Sequence, residues 1–93
     1  MDMAEIKRLK MKIGRSTAQL IEECTEAEGT VPGSTAAAQD VKKIVDKAFD
    51  LIGDDPFGQA IDKIADRHGT TMPNKTAEGM LRGICELLDE ARQ

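Results

Sequence analysis

Apolar residues recur at three- and four-residue steps along most of the chain, a spacing that places them on one face of an α-helix. Four such segments cover about residues 2–28, 34–52, 56–67 and 75–91, and turns rich in Gly, Pro, Asn and Asp separate them. The turns are short, so consecutive helices are expected to run antiparallel. The pattern predicts an all-α fold, a small antiparallel four-helix bundle made of two helical hairpins.

The first predicted helix has a well-specified start. Asp2 is placed as its N-cap, and Glu5 follows three residues later, which is the spacing of a capping box. Met1 and Ile6 are spaced to pack across this cap as a hydrophobic staple. The face predicted to be buried is narrow and consists of Ile6, Leu9, Ile13, Thr17, Leu20, Cys24 and Ala27.

The other helices carry their own start and stop signals. Ser34 is the predicted N-cap of the second helix, and Gly53 is its predicted stop. Asp55 is the predicted N-cap of the third, with Pro56 at its first position, and Asn74 caps the fourth. The residues predicted to face inward are Ala37, Val41, Ile44, Val45, Ala48, Leu51 and Ile52; Phe57, Ala60, Ile61, Ile64 and Ala65; and Ala77, Met80, Leu81, Ile84, Leu87, Leu88 and Ala91.

Two glycines interrupt the last helix. Gly79 and Gly83 each cost about 0.8 to 1 kcal/mol relative to alanine in a helix interior. Close approach of another backbone would compensate for this cost, so we expect helix packing at both positions.

The turn at 29–36 has a similar counterpart at 69–77. The chain is predicted to be a single helical domain, residues 1–93, made of the hairpins at about 5–53 and 56–93. Helical hairpins share such patterns by chance, which is the preferred explanation of the similarity, and duplication of one hairpin is the alternative.

Composition supports a small aliphatic core. The chain has 93 residues, of which 40% are hydrophobic and 32% charged, which argues against a disordered chain. Phe49 and Phe57 are its only aromatic residues, so Ile, Leu, Val, Ala and Met must fill the interior. These residues suit a helical bundle better than a sheet.

The net charge of −4 makes a nucleic acid or an anionic membrane an unfavourable partner. Cys24 and Cys85 do not make a disulfide framework, and the sequence shows no secretory leader or long apolar run. We therefore expect a reduced, cytoplasmic protein in which both cysteines are small core residues.

Charge is unevenly distributed along the first helix. Its basic residues are Lys7, Arg8, Lys10, Lys12 and Arg15, and its later acidic residues are Glu22, Glu23, Glu26 and Glu28. This order opposes the helix dipole, but two antiparallel copies would set each basic half against an acidic half. We therefore predict a homo-oligomer with Lys7, Arg8, Lys12, Arg15, Glu22 and Glu26 at the interface. The alternatives are a basic half that meets an acidic helix of the same chain, and a phosphate-binding patch without interleaved aromatics.

The second turn concentrates polar residues that could bind an anion. Its candidate ligand-binding residues are Arg67, His68, Thr70, Thr71, Asn74, Lys75 and Thr76. A helix N-terminus with Thr, Asn and Lys donors can hold phosphate, although no P-loop or dinucleotide-binding pattern is present. The alternative is that turns and caps require these residue types.

No residues predict catalysis or metal binding. His68 lies at a predicted helix C-terminus, where the dipole favours a cation. An acid–base pair with Arg67 is awkward because adjacent helical residues point about 100° apart. Cys24, Cys85 and His68 lie on separate elements without the paired spacing of a metal site. No cofactor is expected.

These observations favour a small acidic, non-enzymatic interaction protein, such as an inhibitor, an immunity-type neutraliser or an adaptor. It would bind a protein partner through helical surfaces and form a homo-oligomer through its first helix. The alternative is a protein that binds or sequesters a small phosphorylated ligand, such as a nucleotide, at the 67–76 turn.

Overall fold

The described part of the chain folds into four α-helices. The computed structural model describes residues 2–54 and 56–92, and its helices are α1 (Met3–Ala27), α2 (Ser34–Phe49), α3 (Pro56–His68) and α4 (Lys75–Ala91). The described residues form no strand. The prediction of an all-α four-helix bundle is confirmed.

The helices form a ring in which each packs against two others. Consecutive helices pack together, and α1 also packs against α4, whereas α1 and α3 lie diagonally opposite each other, as do α2 and α4. The molecule measures 42 × 22 × 18 Å. With 25 residues α1 is the longest helix. At about 1.5 Å per residue it runs along most of the long axis.

The core is almost entirely aliphatic. Phe57 is its largest fully buried side chain, and Met72 from the second turn closes one end. The inward positions predicted for the described helices are buried or half-buried, with one exception. Ala65 was expected to face inward and is exposed, whereas Ala38, which was not predicted, is fully buried. The buried face of α3 is therefore narrower than expected.

Two predicted N-caps are confirmed. Asp2 Oδ1 accepts a hydrogen bond from the backbone N–H of Glu5 at 2.8 Å, and Asn74 Oδ1 accepts one from Ala77 at 2.9 Å. The predicted staple involves Met1, which lies outside the described residues. The same is true of Asp55, the predicted N-cap of α3.

The start of α2 differs from the prediction. Ser34 is the first helical residue, and the N-cap is Gly33, at φ 94°. The Ser34 hydroxyl donates backward to the carbonyl of Val31 at 2.5 Å. The carboxylate of Glu28 takes the capping role, because it accepts hydrogen bonds from the backbone N–H groups of Gly33 and Thr35. These bonds lower the pKa of Glu28 below its usual value.

The end of α2 also differs. The helix was predicted to reach residue 52 but ends at Phe49, because the N–H of Leu51 bonds the carbonyl of Ala48 in a tighter turn. Leu51 and Ile52 remain half-buried beyond the helix. Gly53 reverses the chain at φ 96°, a conformation that favours glycine.

The expected helix packing at the two glycines of α4 is wrong. A Cβ atom added at Gly79 or Gly83 would meet nothing within 4 Å. Gly69, in contrast, has no room for a side chain, since a Cβ there would lie 2.4 Å from the carbonyl oxygen of Ala65. The second turn thus requires glycine at this position, and α4 does not.

Candidate functional site

Both turns lie at the same end of the bundle, which we call the turn end. The side-chain amide of Asn74 at the start of α4 donates to Glu23 Oε1 near the end of α1, at 3.1 Å. Residues of α2 and α3 also meet there, through Asp40, Arg67 and His68. The antiparallel order of the helices thus brings the two turns together.

Asp40 is the centre of a polar cluster at the turn end. Its Oδ2 lies 2.6 Å from Nε2 of His68 and 3.1 Å from Nη1 of Arg67. Hydrogen bonds from His68 and then from Arg67 lower the pKa of Asp40 below its usual value. An ionised carboxylate can only accept hydrogen bonds, so Nε2 of His68 is the donor.

His68 is a buried link between helices. The residue is only 8% exposed, and its ring has two hydrogen-bond partners in the described chain, Asp40 and the hydroxyl of Thr71. It is the last residue of α3, which confirms its predicted position at a helix C-terminus. The ring contacts α2 through Asp40 and the second turn through Thr71.

The seven predicted ligand-binding residues do not converge on one point. Arg67 and His68 face Asp40, whereas Lys75 and Thr76 are exposed on the first turn of α4. Thr70 lines a separate groove of about 380 Å³ between α3 and α4. A phosphorylated ligand at this turn stays a prediction.

The sequence does not single out Asp40. Its partners are 27 and 28 positions away, and only the packing of α2 on α3 brings them together. A charged residue on the polar face of α2 looks the same in the sequence whether it meets solvent or a neighbouring helix. The sequence feature that could have indicated this cluster is the pair of adjacent basic residues, Arg67 and His68, at the end of a helix.

A second candidate surface is an exposed stripe along α1, which borders the groove between α1 and α2 at Ala18. Ala4, Met11, Ala18 and Thr25 follow one another at seven-residue intervals, and all are exposed. We call this stripe the outer face of α1. Met11 is 61% exposed, a large apolar side chain left in solvent.

The charged residues of α1 find no ion-pair partner within residues 2–54 and 56–92. This holds for all six predicted interface residues, namely Lys7, Arg8, Lys12, Arg15, Glu22 and Glu26, which are exposed. Lys10 instead lies over the ring of Phe49, with Nζ 5.6 Å from its centre. The alternative in which the basic half of α1 pairs with an acidic helix of the same chain is therefore not observed in the described residues.

Three further observations bear on function. In the part of the chain that the structure describes, no helix is both long enough and apolar enough to cross a bilayer, and no group of three His, Cys, Asp or Glu side chains is placed to hold a metal ion. Both cysteines are free, Cys24 within the core and Cys85 half-buried against it. A scan of protein-family models and searches of curated proteins and of solved structures found no match to this chain.

Proposed function

We propose that this protein is a non-enzymatic interaction module that self-associates through α1 and presents its helical surfaces to a protein partner. The observation that carries the proposal is the outer face of α1, where an exposed apolar stripe runs beside charges that have no partner in the described chain. Charge complementarity favours a second copy of the same helix as the occupant.

The stripe is compatible with an antiparallel pair. If the two-fold axis passes between Gly14 and Arg15, Met11 of one copy faces Ala18 of the other. Ala4 then faces Thr25 in the same arrangement. The large side chain of Met11 thus meets a small one, and glycine beside the axis permits close approach of the two backbones.

The same register pairs opposite charges. Lys7 of one copy faces Glu22 of the other, and the symmetry forms this pair twice. Exposed ion pairs contribute about 0.2–1 kcal/mol each, so their main effect is to select the antiparallel orientation. Burial of Met11 and the alanines supplies most of the attraction. Such an interface is small, so we expect a dissociation constant of about micromolar or weaker.

Sedimentation velocity over a concentration series, at low and at high salt, tests the proposal. We expect a dimer that forms with rising concentration and weakens in salt. Glu22→Lys and Lys7→Glu should each weaken the dimer, and the double variant should restore it because the exchanged charges are again complementary. Glu86→Lys on α4 changes the net charge by the same amount as Glu22→Lys but lies outside the outer face, so it serves as the control for that variant. A monomer under every condition, or a double variant no better than either single one, contradicts the proposal.

A further inference from the structure

A groove between α2 and α3 carries four cationic side chains. Lys43 and Lys47 line it from α2, and Lys63 and Arg67 line it from α3. Its volume of about 340 Å³ falls within the usual size of small-molecule pockets. Since α1 contributes no lining residue, the groove is separate from the outer face of α1.

The charge of this groove contrasts with that of the whole chain. Among the residues that the structure describes, Asp40 is the only acidic one that lines the groove, so the described lining carries an excess of three positive charges in a molecule with a net charge of −4. The carboxylate of Asp40 forms an ion pair with Arg67 and accepts a hydrogen bond from His68. Asp62 and Asp66 do not line the groove, but they line an adjacent surface of α3 that shares Lys63 and Arg67 with it.

The groove lysines differ from their neighbour on the same helix. Lys42 pairs with Asp46 at 2.7 Å. Lys43, Lys47 and Lys63 form no ion pair within residues 2–54 and 56–92. These three ammonium groups are therefore available to pair with an anion in the groove.

The arrangement suits a ligand with more than one anionic group. Each helix presents its two cations four residues apart, a separation of about 6 Å along the axis. The floor is apolar: Ile44 is buried, and Leu51 and Ala60 are half-buried. Lysine and arginine donate charge-assisted hydrogen bonds to phosphate oxygens, and the apolar floor limits competition from water.

We propose that the α2–α3 groove binds a small molecule bearing two or more phosphate groups, held by Lys43, Lys47, Lys63 and Arg67. Asp40 fixes Arg67 at one end of the groove. The limited volume favours a compact polyphosphate over an extended acidic peptide.

Isothermal titration calorimetry with inorganic tripolyphosphate at low salt tests the proposal. We expect one ligand per chain, weaker binding of orthophosphate, and an affinity that falls as salt is added. Lys47→Gln/Lys63→Gln removes two ligating charges and should weaken binding about tenfold or more. Lys42→Gln/Arg82→Gln removes two exposed positive charges outside the groove and should change affinity less than about twofold.

Three results would overturn this assignment. They are the absence of saturable binding, an equal loss in the control variant, and tighter binding of an oligoglutamate peptide than of tripolyphosphate. Circular dichroism melts of both double variants establish that each remains folded. Because no variant touches α1, the sedimentation behaviour should be unchanged, so this proposal can fail without affecting the proposed self-association.

Discussion

Asp40 of α2 accepts a hydrogen bond from Nε2 of His68, the last residue of α3, across 2.6 Å. The bond joins a buried ring to a carboxylate that is one-third exposed, at the end of the bundle where both turns lie. This hydrogen bond therefore links the first hairpin, through α2, to the second hairpin, through α3.

We expect Asp40→Ala to lower the free energy of unfolding by about 1–2 kcal/mol, because the buried His68 ring loses its charge-assisted hydrogen bond. Asp46→Ala is a matched control: it also removes a paired aspartate from α2, but that pair is exposed and its loss should cost less than about 0.5 kcal/mol. Urea denaturation of both variants measures the difference. Equal losses would mean that the Asp40–His68 contact adds no more stability than a surface ion pair.

Acid should remove the contribution of Asp40 to the free energy of unfolding. Its pKa is lowered in the folded protein, so the unfolded chain takes up the proton first as pH falls. The stability that ionised Asp40 contributes is therefore complete above its usual pKa and is lost as pH falls through its lower folded value, below about pH 4. Unfolding free energies of the wild type and of Asp40→Asn should differ by a constant amount near neutral pH and converge in acid. A gap that widens in acid would contradict this sign.

The glycines of α4 offer a third prediction. Gly79→Ala and Gly83→Ala should each raise the free energy of unfolding by about 0.5–1 kcal/mol, because alanine has the higher helix propensity and its Cβ meets no atom. Gly69→Ala should destabilise, since its Cβ would crowd the carbonyl of Ala65. Thermal and urea unfolding of the three variants measure these opposite signs. Stabilisation by Gly69→Ala would contradict the geometry of the turn.

Both thiols should react slowly. Burial raises the pKa of Cys24 and of Cys85, and neighbouring carboxylates raise each further, which leaves little reactive thiolate at neutral pH. Cys85 is half-buried and Cys24 fully buried, so a disulfide reagent should modify Cys85 first and Cys24 only on unfolding. Peptide mapping after timed labelling gives the order, and Cys85→Ser should leave a single slow site. Rapid labelling of folded Cys24 would show that α1 opens readily.

The sequence predicted the helices well because their signals are local. Three- and four-residue periodicity identified the buried faces, and Asp2 and Asn74 cap the helices that their positions indicate. Ser34 was misassigned because two groups compete for the start of α2, and the longer side chain of Glu28 reaches the free N–H groups. Local preference alone does not decide such a competition.

The polar cluster around Asp40 and the α2–α3 groove could not be predicted from local sequence patterns. Asp40 meets His68, and Lys47 shares a groove with Lys63, only because α2 and α3 pack at a particular rotation and offset. Periodicity identifies the buried face of each helix. It does not give the rotation of α2 relative to α3 or the offset between them along the helix axis. Close helix packing at Gly79 and Gly83 was a wrong prediction for another reason. A helix can contain glycines of low helix propensity without any tertiary contact that compensates for them.

The two turns also differ in the reach of their contacts. Glu28 bonds residues only five and seven positions ahead, so the first turn can close while the rest of the chain is still disordered. The second turn depends on Asn74 meeting Glu23, 51 positions away, and on Met72 entering the core. The final geometry of the second turn therefore depends on the position of α1, whereas the first turn is held by residues close to it in the sequence.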